Sequence, residues 1–193
     1  MKLISATANK SNGFTLIELL VVTAIFTVIT SLVLASNSRF GGAVLLENLA
    51  YDIALSIRQA QIYGIAVHRF GTNNFGVGYG EHFEMTSPTT YVLFGDVNQT
   101  GLYDDPTELV TSTDIGRGYY IADLCVTPSN DPTETCGVRK LDILFKRPEP
   151  DAYIRADGST SVINQRGRII VKSPRGDQMS IVIEATGQIG VQP

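Results

Sequence analysis

One carboxylate stands at the head of the longest apolar stretch of the chain. Glu18 lies four residues after Phe14 and is followed by a run without charge, glycine or proline that ends near Ala35. A helix over the whole stretch would be about 33 Å long, at about 1.5 Å per residue, which is enough to cross the hydrocarbon core of a bilayer. A carboxylate is costly in that position, so it either takes a proton or meets a cation. We therefore expect Glu18 to have a function.

A second group of oxygen-bearing side chains lies between positions 96 and 108. Residues 96–105 carry such side chains at alternate positions, with Gly101 at the sixth, an arrangement that can wrap Ca²⁺. The ligands would be Asp96, Asn98, Thr100, Asp104 and Glu108. Glu108 stands one position later than in an EF-hand loop, and no pair of helices is predicted around it. The sequence leaves a calcium site and a plain acidic hairpin turn as alternatives.

The sequence contains two cysteines, Cys125 and Cys136. An even count in a chain that leaves the cytoplasm favours a disulfide. The bond would close a loop of about 12 residues and contribute roughly 2–3 kcal/mol to stability. Two free thiols are the alternative. A zinc site is not expected, because no paired cysteines or histidines accompany them.

Charge is distributed unevenly along the second half of the chain. Residues 76–138 hold ten acidic side chains and one basic side chain, whereas residues 139–175 hold nine basic and four acidic ones. A candidate basic patch is formed by Arg166, Arg168, Lys172 and Arg175. Such a patch docks an acidic face of another subunit, binds DNA phosphates, or is simply a solvated surface. The sequence leaves these three uses open.

Catalytic signatures are missing from the sequence. It has two histidines and contains no nucleophile elbow, no phosphate-binding glycine loop and no HExxH zinc motif. A single-pass membrane enzyme remains an alternative, but the sequence predicts that the protein is not an enzyme.

The residues around Glu18 form a specific motif. The segment reads Lys10-Ser11-Asn12-Gly13-Phe14-Thr15-Leu16-Ile17-Glu18-Leu19-Leu20. It resembles the class III signal of type IV pilins and type II secretion pseudopilins. The resemblance implies that a prepilin peptidase cleaves after Gly13 and that the new N-terminal residue, Phe14, is N-methylated. It also implies that Glu18 meets the α-amine of a neighbouring subunit during filament assembly.

Flanking charges indicate the membrane topology. Lys2 and Lys10 precede the apolar run with no acidic residue, so the N-terminus is expected in the cytoplasm and the body in the periplasm. An ordinary secretory signal is the alternative, but it has a shorter apolar region and its cleavage site lies behind that region. We therefore expect a single-pass bacterial inner-membrane protein that later enters a pilus or pseudopilus. The implied partners are membrane lipid, the prepilin peptidase and other pilins or pseudopilins.

Hydrophobic periodicity changes after Gly41-Gly42, which marks either a hinge or a point that the helix runs through. Residues 43–64 carry apolar side chains at steps of three and four, which predicts an amphipathic helix that lies on the rest of the domain and stops at Gly64. The threonines in the apolar run after Glu18 form hydrogen bonds either with their own helix backbone or with a neighbouring helix.

Beyond residue 64, short runs separated by turn residues predict antiparallel sheet. The candidate strands are Ile65–Phe70, Phe75–Tyr79, Tyr91–Gly95, Gly118–Ala122, Leu141–Lys146, Arg168–Ser173, Met179–Ala185 and Gln188–Val191. Hairpin turns are expected at Gly71–Asn74 and Ala185–Gln188. The tail from Ser180 to Val191 resembles the closing hairpin of GspH/FimT-type domains.

These elements predict an α+β protein with a long N-terminal helix packed on an antiparallel sheet, the pilin fold. We assign residues 1–13 to a leader, 14–42 to a transmembrane and assembly helix, and 43–193 to a β-rich periplasmic or extracellular domain. The function implied by the resemblance is a structural subunit, either a minor pilin or a pseudopilin. A minor pilin of a DNA-uptake pilus that binds DNA or another ligand is the alternative.

Overall fold

The computed structural model describes residues 13–66, 68–71 and 76–193, with the backbone alone over residues 35–40. Contacts between residues divide the chain after Gly41 into an N-terminal unit and a body that runs from Gly42 to Pro193. Helix α1 is assigned over Leu16–Ile65, so Gly41 and Gly42 are both helical. The predicted leader residues before Gly13 lie outside the described residues.

In the N-terminal unit, residues Leu16–Leu34 form one helix that is long and apolar enough to cross a membrane, with a mean hydropathy of 2.4. None of this segment is buried against the rest of the protein. Its hydroxyl side chains donate hydrogen bonds to carbonyl groups one turn earlier in the same helix. These bonds run from Thr23 to Leu19 and Leu20, from Thr27 to Ala24, from Thr30 to Phe26 and from Ser31 to Thr27. Local bonding therefore keeps these polar groups satisfied in an apolar surrounding.

In the body, α1 buries one face and confirms the predicted amphipathic helix. The buried side chains recur at steps of four and three: Leu46, Ala50, Ile53, Ile57 and Ala60. The helix ends at Ile65, one residue after the predicted stop at Gly64. Gly64 also allows close packing, since a Cβ atom at this position would lie 2.3 Å from the Phe145 carbonyl oxygen.

Ten strands follow the helix in the described residues. They are β1 (Gly78–Glu84), β2 (Thr90–Asp96), β3 (Leu109–Asp114), β4 (Tyr120–Pro128), β5 (Thr135–Cys136), β6 (Lys140–Phe145), β7 (Ala152–Ala156), β8 (Asn164–Lys172), β9 (Gln178–Glu184) and β10 (Ile189–Gln192). A short 3-10 helix over Pro106–Glu108 leads into β3. The strands pair antiparallel throughout, which confirms the predicted α+β class.

Strand β8 is the junction of the sheet. The main path runs β10-β9-β8-β7-β6-β1-β2-β3, while β4 pairs with β8 and with β5. Strand β7 meets β8 at one register position, Ile154 opposite Asn164, whereas β4 pairs along β8 from Asn164 to Lys172. One face of the sheet joins α1 in a single apolar core that includes Phe83, Ile143 and Ile169.

Several strand predictions are corrected by the structure. The predicted strand Ile65–Phe70 is wrong: Ile65 ends α1, and of the described residues after it one, Phe70, makes an isolated bridge. Strands β3, β5 and β7 were not predicted, since the first is rich in threonine and serine, the second has two residues and the third is short. The hairpin turn Ala185–Gln188 is confirmed between β9 and β10, whereas Gly71–Asn74 lies partly outside the described residues.

Candidate functional site

The predicted cleavage site lies just before α1. Gly13 and Phe14 are exposed and neither is helical, and the helix begins at Leu16. The Glu18 N–H donates to Thr15 Oγ1 at 3.3 Å, so Thr15 satisfies one of the free donors of the first turn. A non-helical peptide bond between Gly13 and Phe14 suits a peptidase, because a protease binds its substrate as an extended backbone.

Glu18 lies in the first turn of α1 and its side chain is exposed. A carboxylate at this end of a helix is favoured by the helix dipole. The residues after Glu18 are exposed and mostly apolar up to Leu34, so the carboxylate stands at one end of a largely hydrophobic surface. This surface can insert into lipid or pack against helices of other chains.

The predicted calcium ligands bond to one another and to their own loop. The Gly101 N–H donates to Asp96 Oδ1 at 3.0 Å, and the Thr100 N–H donates to Asn98 Oδ1 at 3.1 Å. Asp104 accepts from Asn98 Nδ2 at 2.6 Å and from Thr100 Oγ1 at 3.1 Å. In the described part of the chain, the cluster of three His, Cys, Asp or Glu ligand atoms that is found lies elsewhere, at Asp123, Cys125 and Cys136. Calcium binding stays a prediction.

Glu108 is the buried centre of this loop. Its Oε1 atom accepts from the N–H groups of Val97 and Asn98 at 3.0 and 3.3 Å. Burial raises the pKa of Glu108 by more than the backbone hydrogen bonds from Asn98 and Asp104 lower it. The carboxyl group therefore holds the backbone of the loop together.

A buried pair fastens the same loop to the sheet, and sequence reasoning did not find it. His82 Nδ1 lies 2.7 Å from Asp142 Oδ1, which also accepts from the Tyr103 N–H at 3.1 Å. On the other side of Asp142, Arg155 is its partner in the strand register and donates to the Thr100 carbonyl oxygen. These residues are far apart in sequence, and only the pairing of β1, β6 and β7 brings them into one row.

A second buried carboxyl group was also missed by sequence reasoning. Glu81 on β1 is fully buried, and its Oε1 atom accepts from Ser56 Oγ of α1 at 3.0 Å. Burial raises the pKa of Glu81 to about 8, and the bond from Ser56 lowers it only in part. Burial therefore favours the protonated form of Glu81 at neutral pH in the folded protein.

Cys125 and Cys136 form the predicted disulfide. They are register partners on β4 and β5, with Cα atoms 4.0 Å apart. Asp123 lies close enough to join the two sulfur atoms in a three-residue cluster. The cluster is not a metal site, because both sulfur atoms are used by the disulfide and a disulfide is a poor ligand.

The structure places three of the four predicted basic-patch residues on β8 and the fourth, Arg175, in the turn after it. Two of them are engaged in ion pairs. Arg166 Nε lies 2.7 Å from Glu184 Oε1, and Arg168 pairs with Glu134. These acidic partners offset part of the positive charge on this side of the sheet.

A comparison with protein-family models finds the prokaryotic N-terminal methylation motif over residues 8–34. This match confirms the class III prepilin signal that the residues around Gly13 resemble, and it supports a type IV pilin-like subunit in general. No curated protein and no solved structure is significantly similar to the chain.

Proposed function

We propose that the protein is a minor pilin or pseudopilin, a structural subunit of a type IV pilus or of a type II secretion pseudopilus. The observation that carries the proposal is the exposed apolar helix Leu16–Leu34, which lies within the matched N-terminal methylation motif and precedes a folded β-rich body. A surface of this kind is covered either by lipid or by helices of other subunits. The helix of a filament subunit is surrounded first by lipid and later by the helices of other subunits.

The proposed cycle begins in the inner membrane, with the N-terminus in the cytoplasm and the body in the periplasm. The prepilin peptidase removes residues 1–13 and Phe14 is methylated. The helix then leaves the lipid and packs against helices already in the filament. Glu18 meets the α-amine of a neighbouring Phe14, and this charge pair sets the position of each new subunit because an unpaired carboxylate in that apolar surrounding is costly.

Replacement of the carboxylate tests this role directly. We expect Glu18→Ala to be cleaved after Gly13 normally but to enter filaments about ten-fold less than the wild type, because its partner amine is left unpaired. Glu18→Asp, which keeps the charge, is the matched control and should retain more incorporation. The measurement is the amount of processed protein in sheared filaments relative to the membrane. Equal incorporation of Glu18→Ala and wild type would refute the assembly role.

A minor pilin that binds DNA is the second candidate. Arg166, Arg168 and Lys172 occupy alternate positions of β8 and so share one face of the strand, which favours a common anionic partner. The ion pairs to Glu184 and Glu134 weigh against it. A salt-dependent gel shift with the detergent-solubilised protein would decide: the DNA role requires binding at low salt that the double variant Arg166→Ala, Arg168→Ala loses.

Calcium binding by the loop of residues 96–108 is a further proposal that can be tested. The loop is already closed by hydrogen bonds to Asp96, Asp104 and Glu108, so a cation would have to displace some of them. Calorimetric titration with Ca²⁺, with Asp96→Asn as the comparison, measures whether any exchange takes place. An absence of heat at millimolar Ca²⁺ would remove the site from the account.

A further inference from the structure

A small open cavity of about 350 Å³ lies beside α1 in the body, where the helix meets the turn between β3 and β4. The helix contributes one face to it, because the residues concerned lie three, four and seven positions after Leu45. The volume is at the lower end of the range for small-molecule sites, so the cavity suits a small ligand. The lining residues are Leu45, Asn48, Leu49 and Asp52 of α1 and Ile115, Gly116, Arg117 and Tyr119 of the turn.

Apolar side chains form the floor of this cavity. Ile115 and Tyr119 are buried members of the core, and Leu49 packs against it from α1. The Tyr119 hydroxyl group donates to the Gly42 carbonyl oxygen at 3.0 Å, which fastens the turn to the helix. An aliphatic group that enters the cavity therefore meets an apolar surface that is already in place.

Arg117 lies at the tip of the turn in a strained backbone conformation. Its φ is 60°, in the left-handed region that few residues other than glycine adopt, and Gly118 after it has a φ of 77°. The Tyr119 N–H donates to the Gly116 carbonyl oxygen at 3.2 Å and so closes the turn around Arg117. A strained residue that the surrounding backbone holds beside a cavity points to a function for its side chain.

Two opposite charges line the cavity without forming an ion pair. Asp52 and Arg117 are both exposed, and among the described residues neither is ion-paired with the other or with a third group. Asn48, one turn before Asp52, adds a neutral amide to the same wall. Asp52 can accept from an ammonium group, and the Arg117 guanidinium group can bind a carboxylate through two parallel hydrogen bonds. A ligand with both charges would therefore satisfy both side chains.

We propose that this cavity binds a free α-amino acid with an aliphatic side chain. The ammonium group of the ligand contacts Asp52, its carboxylate contacts Arg117, and its side chain lies on the apolar floor. An α-amino acid carries both charges on one carbon atom, which suits a cavity of this size. A ligand with one charge would leave either Asp52 or Arg117 without a partner. The site lies in the body, so it adds ligand binding to the structural role proposed for the N-terminal helix.

L-Leucine is the probe for this site, and saturation-transfer NMR with the detergent-solubilised full-length protein measures its binding. Two analogues of the same shape separate the charges: isocaproate lacks the amine, and isopentylamine lacks the carboxylate. We expect leucine to bind with a Kd of about 1 mM or lower, and each analogue to bind about ten-fold more weakly, because it loses one charge-assisted contact. Analogues that bind as tightly as leucine would show an apolar site without charge recognition and would overturn the proposal.

Two variants assign each charge to its partner group. Asp52→Asn should weaken leucine binding about ten-fold without weakening that of isocaproate, and Arg117→Gln should do the same without weakening that of isopentylamine. Glu47→Gln removes a carboxylate of the same helix outside the cavity and should bind leucine like the wild type. Thermal unfolding of each variant checks that the body stays folded. No leucine signal at about 10 mM, or equal binding by the wild type and both cavity variants, would overturn the proposal.

Discussion

Glu81 shows at the scale of one residue how burial changes an ordinary acid. Its carboxyl group lies between β1 and α1 with Ser56 as its hydrogen-bond donor, and one of its oxygen atoms has no partner. A charged group in that position would be strongly destabilising, so the folded state retains the proton and the pKa rises to about 8.

This shift makes stability depend on pH. From about pH 4.5 to about pH 8 the folded protein holds a proton that the unfolded chain has lost, so the free energy of unfolding falls as the pH rises, by at most about 1.4 kcal/mol per pH unit. Glu81→Gln should remove this part of the slope. The measurement is thermal unfolding of the solubilised protein, followed by tyrosine fluorescence at several pH values.

Glu84→Gln on the same strand is the control for this experiment. Burial acts to raise the pKa of Glu84, but hydrogen bonds from Lys140 and Thr86 outweigh it and the pKa is lowered. Its titration therefore affects stability below about pH 4.5, and the slope above that pH should not change. If Glu81→Gln and wild type lose stability in parallel up to pH 8, the buried acid is not the cause.

Single residues of this kind could not be predicted from the sequence. Glu81 lies between Gly80 and His82, so the local pattern does not signal a buried strand, and nothing nearby in the sequence signals that Ser56 would cover it. His82 and Asp142 are 60 positions apart and meet only through the register of β1 and β6. By contrast, the motif formed by Gly13, Phe14 and Glu18 is local in sequence. It can therefore be recognised without knowledge of the fold.

At the scale of elements, the contact between α1 and β6 depends on Gly64. Its missing side chain lets the last turn of the helix approach the Phe145 carbonyl group. A methyl group there would meet backbone atoms, which cannot rotate away as a side chain would. The helix would have to move off the strand.

We expect Gly64→Ala to destabilise the body by about 1–3 kcal/mol, because the overlap outweighs the gain in helix propensity. Gly42→Ala is the matched control. It lies in the same helix, and among the described residues no atom outside the adjoining helix backbone lies within 4 Å of the added methyl group, so this variant should gain up to about 1 kcal/mol. Thermal unfolding of both variants measures the difference. Equal unfolding temperatures for the two would show that the contact with Phe145 is not tight.

The elements that could be predicted were those with strong periodicity. The apolar run after Glu18 and the amphipathic segment before Gly64 gave the helix, and the β9–β10 hairpin followed from its turn residues. Strand β3 was missed because its threonine and serine side chains are mostly exposed at the edge of the sheet, so its hydrophobic pattern is weak. The sequence indicated the helix end near Gly64 but not its contact with Phe145, because glycine serves both at helix ends and as a packing residue.

At the scale of the whole molecule, the two units differ in what their surfaces can do. The N-terminal unit presents an apolar helix that the protein itself does not cover, whereas the body buries a core of helix and sheet and closes a hairpin with a disulfide. In the proposed function the first unit holds the protein in lipid and then in a filament, and the body determines its neighbours. Cleavage at the start of the first unit links the two states.

The central claim is that a peptidase converts this membrane protein into a filament subunit by cutting at one bond. Mass spectrometry of the protein isolated from its native membranes, with Gly13→Val as the control, tests it most directly. The account predicts a wild-type chain that begins with N-methylated Phe14 and lacks residues 1–13, and a control chain that keeps them. A wild-type chain that retains the first thirteen residues, or that begins behind the apolar helix, would contradict it.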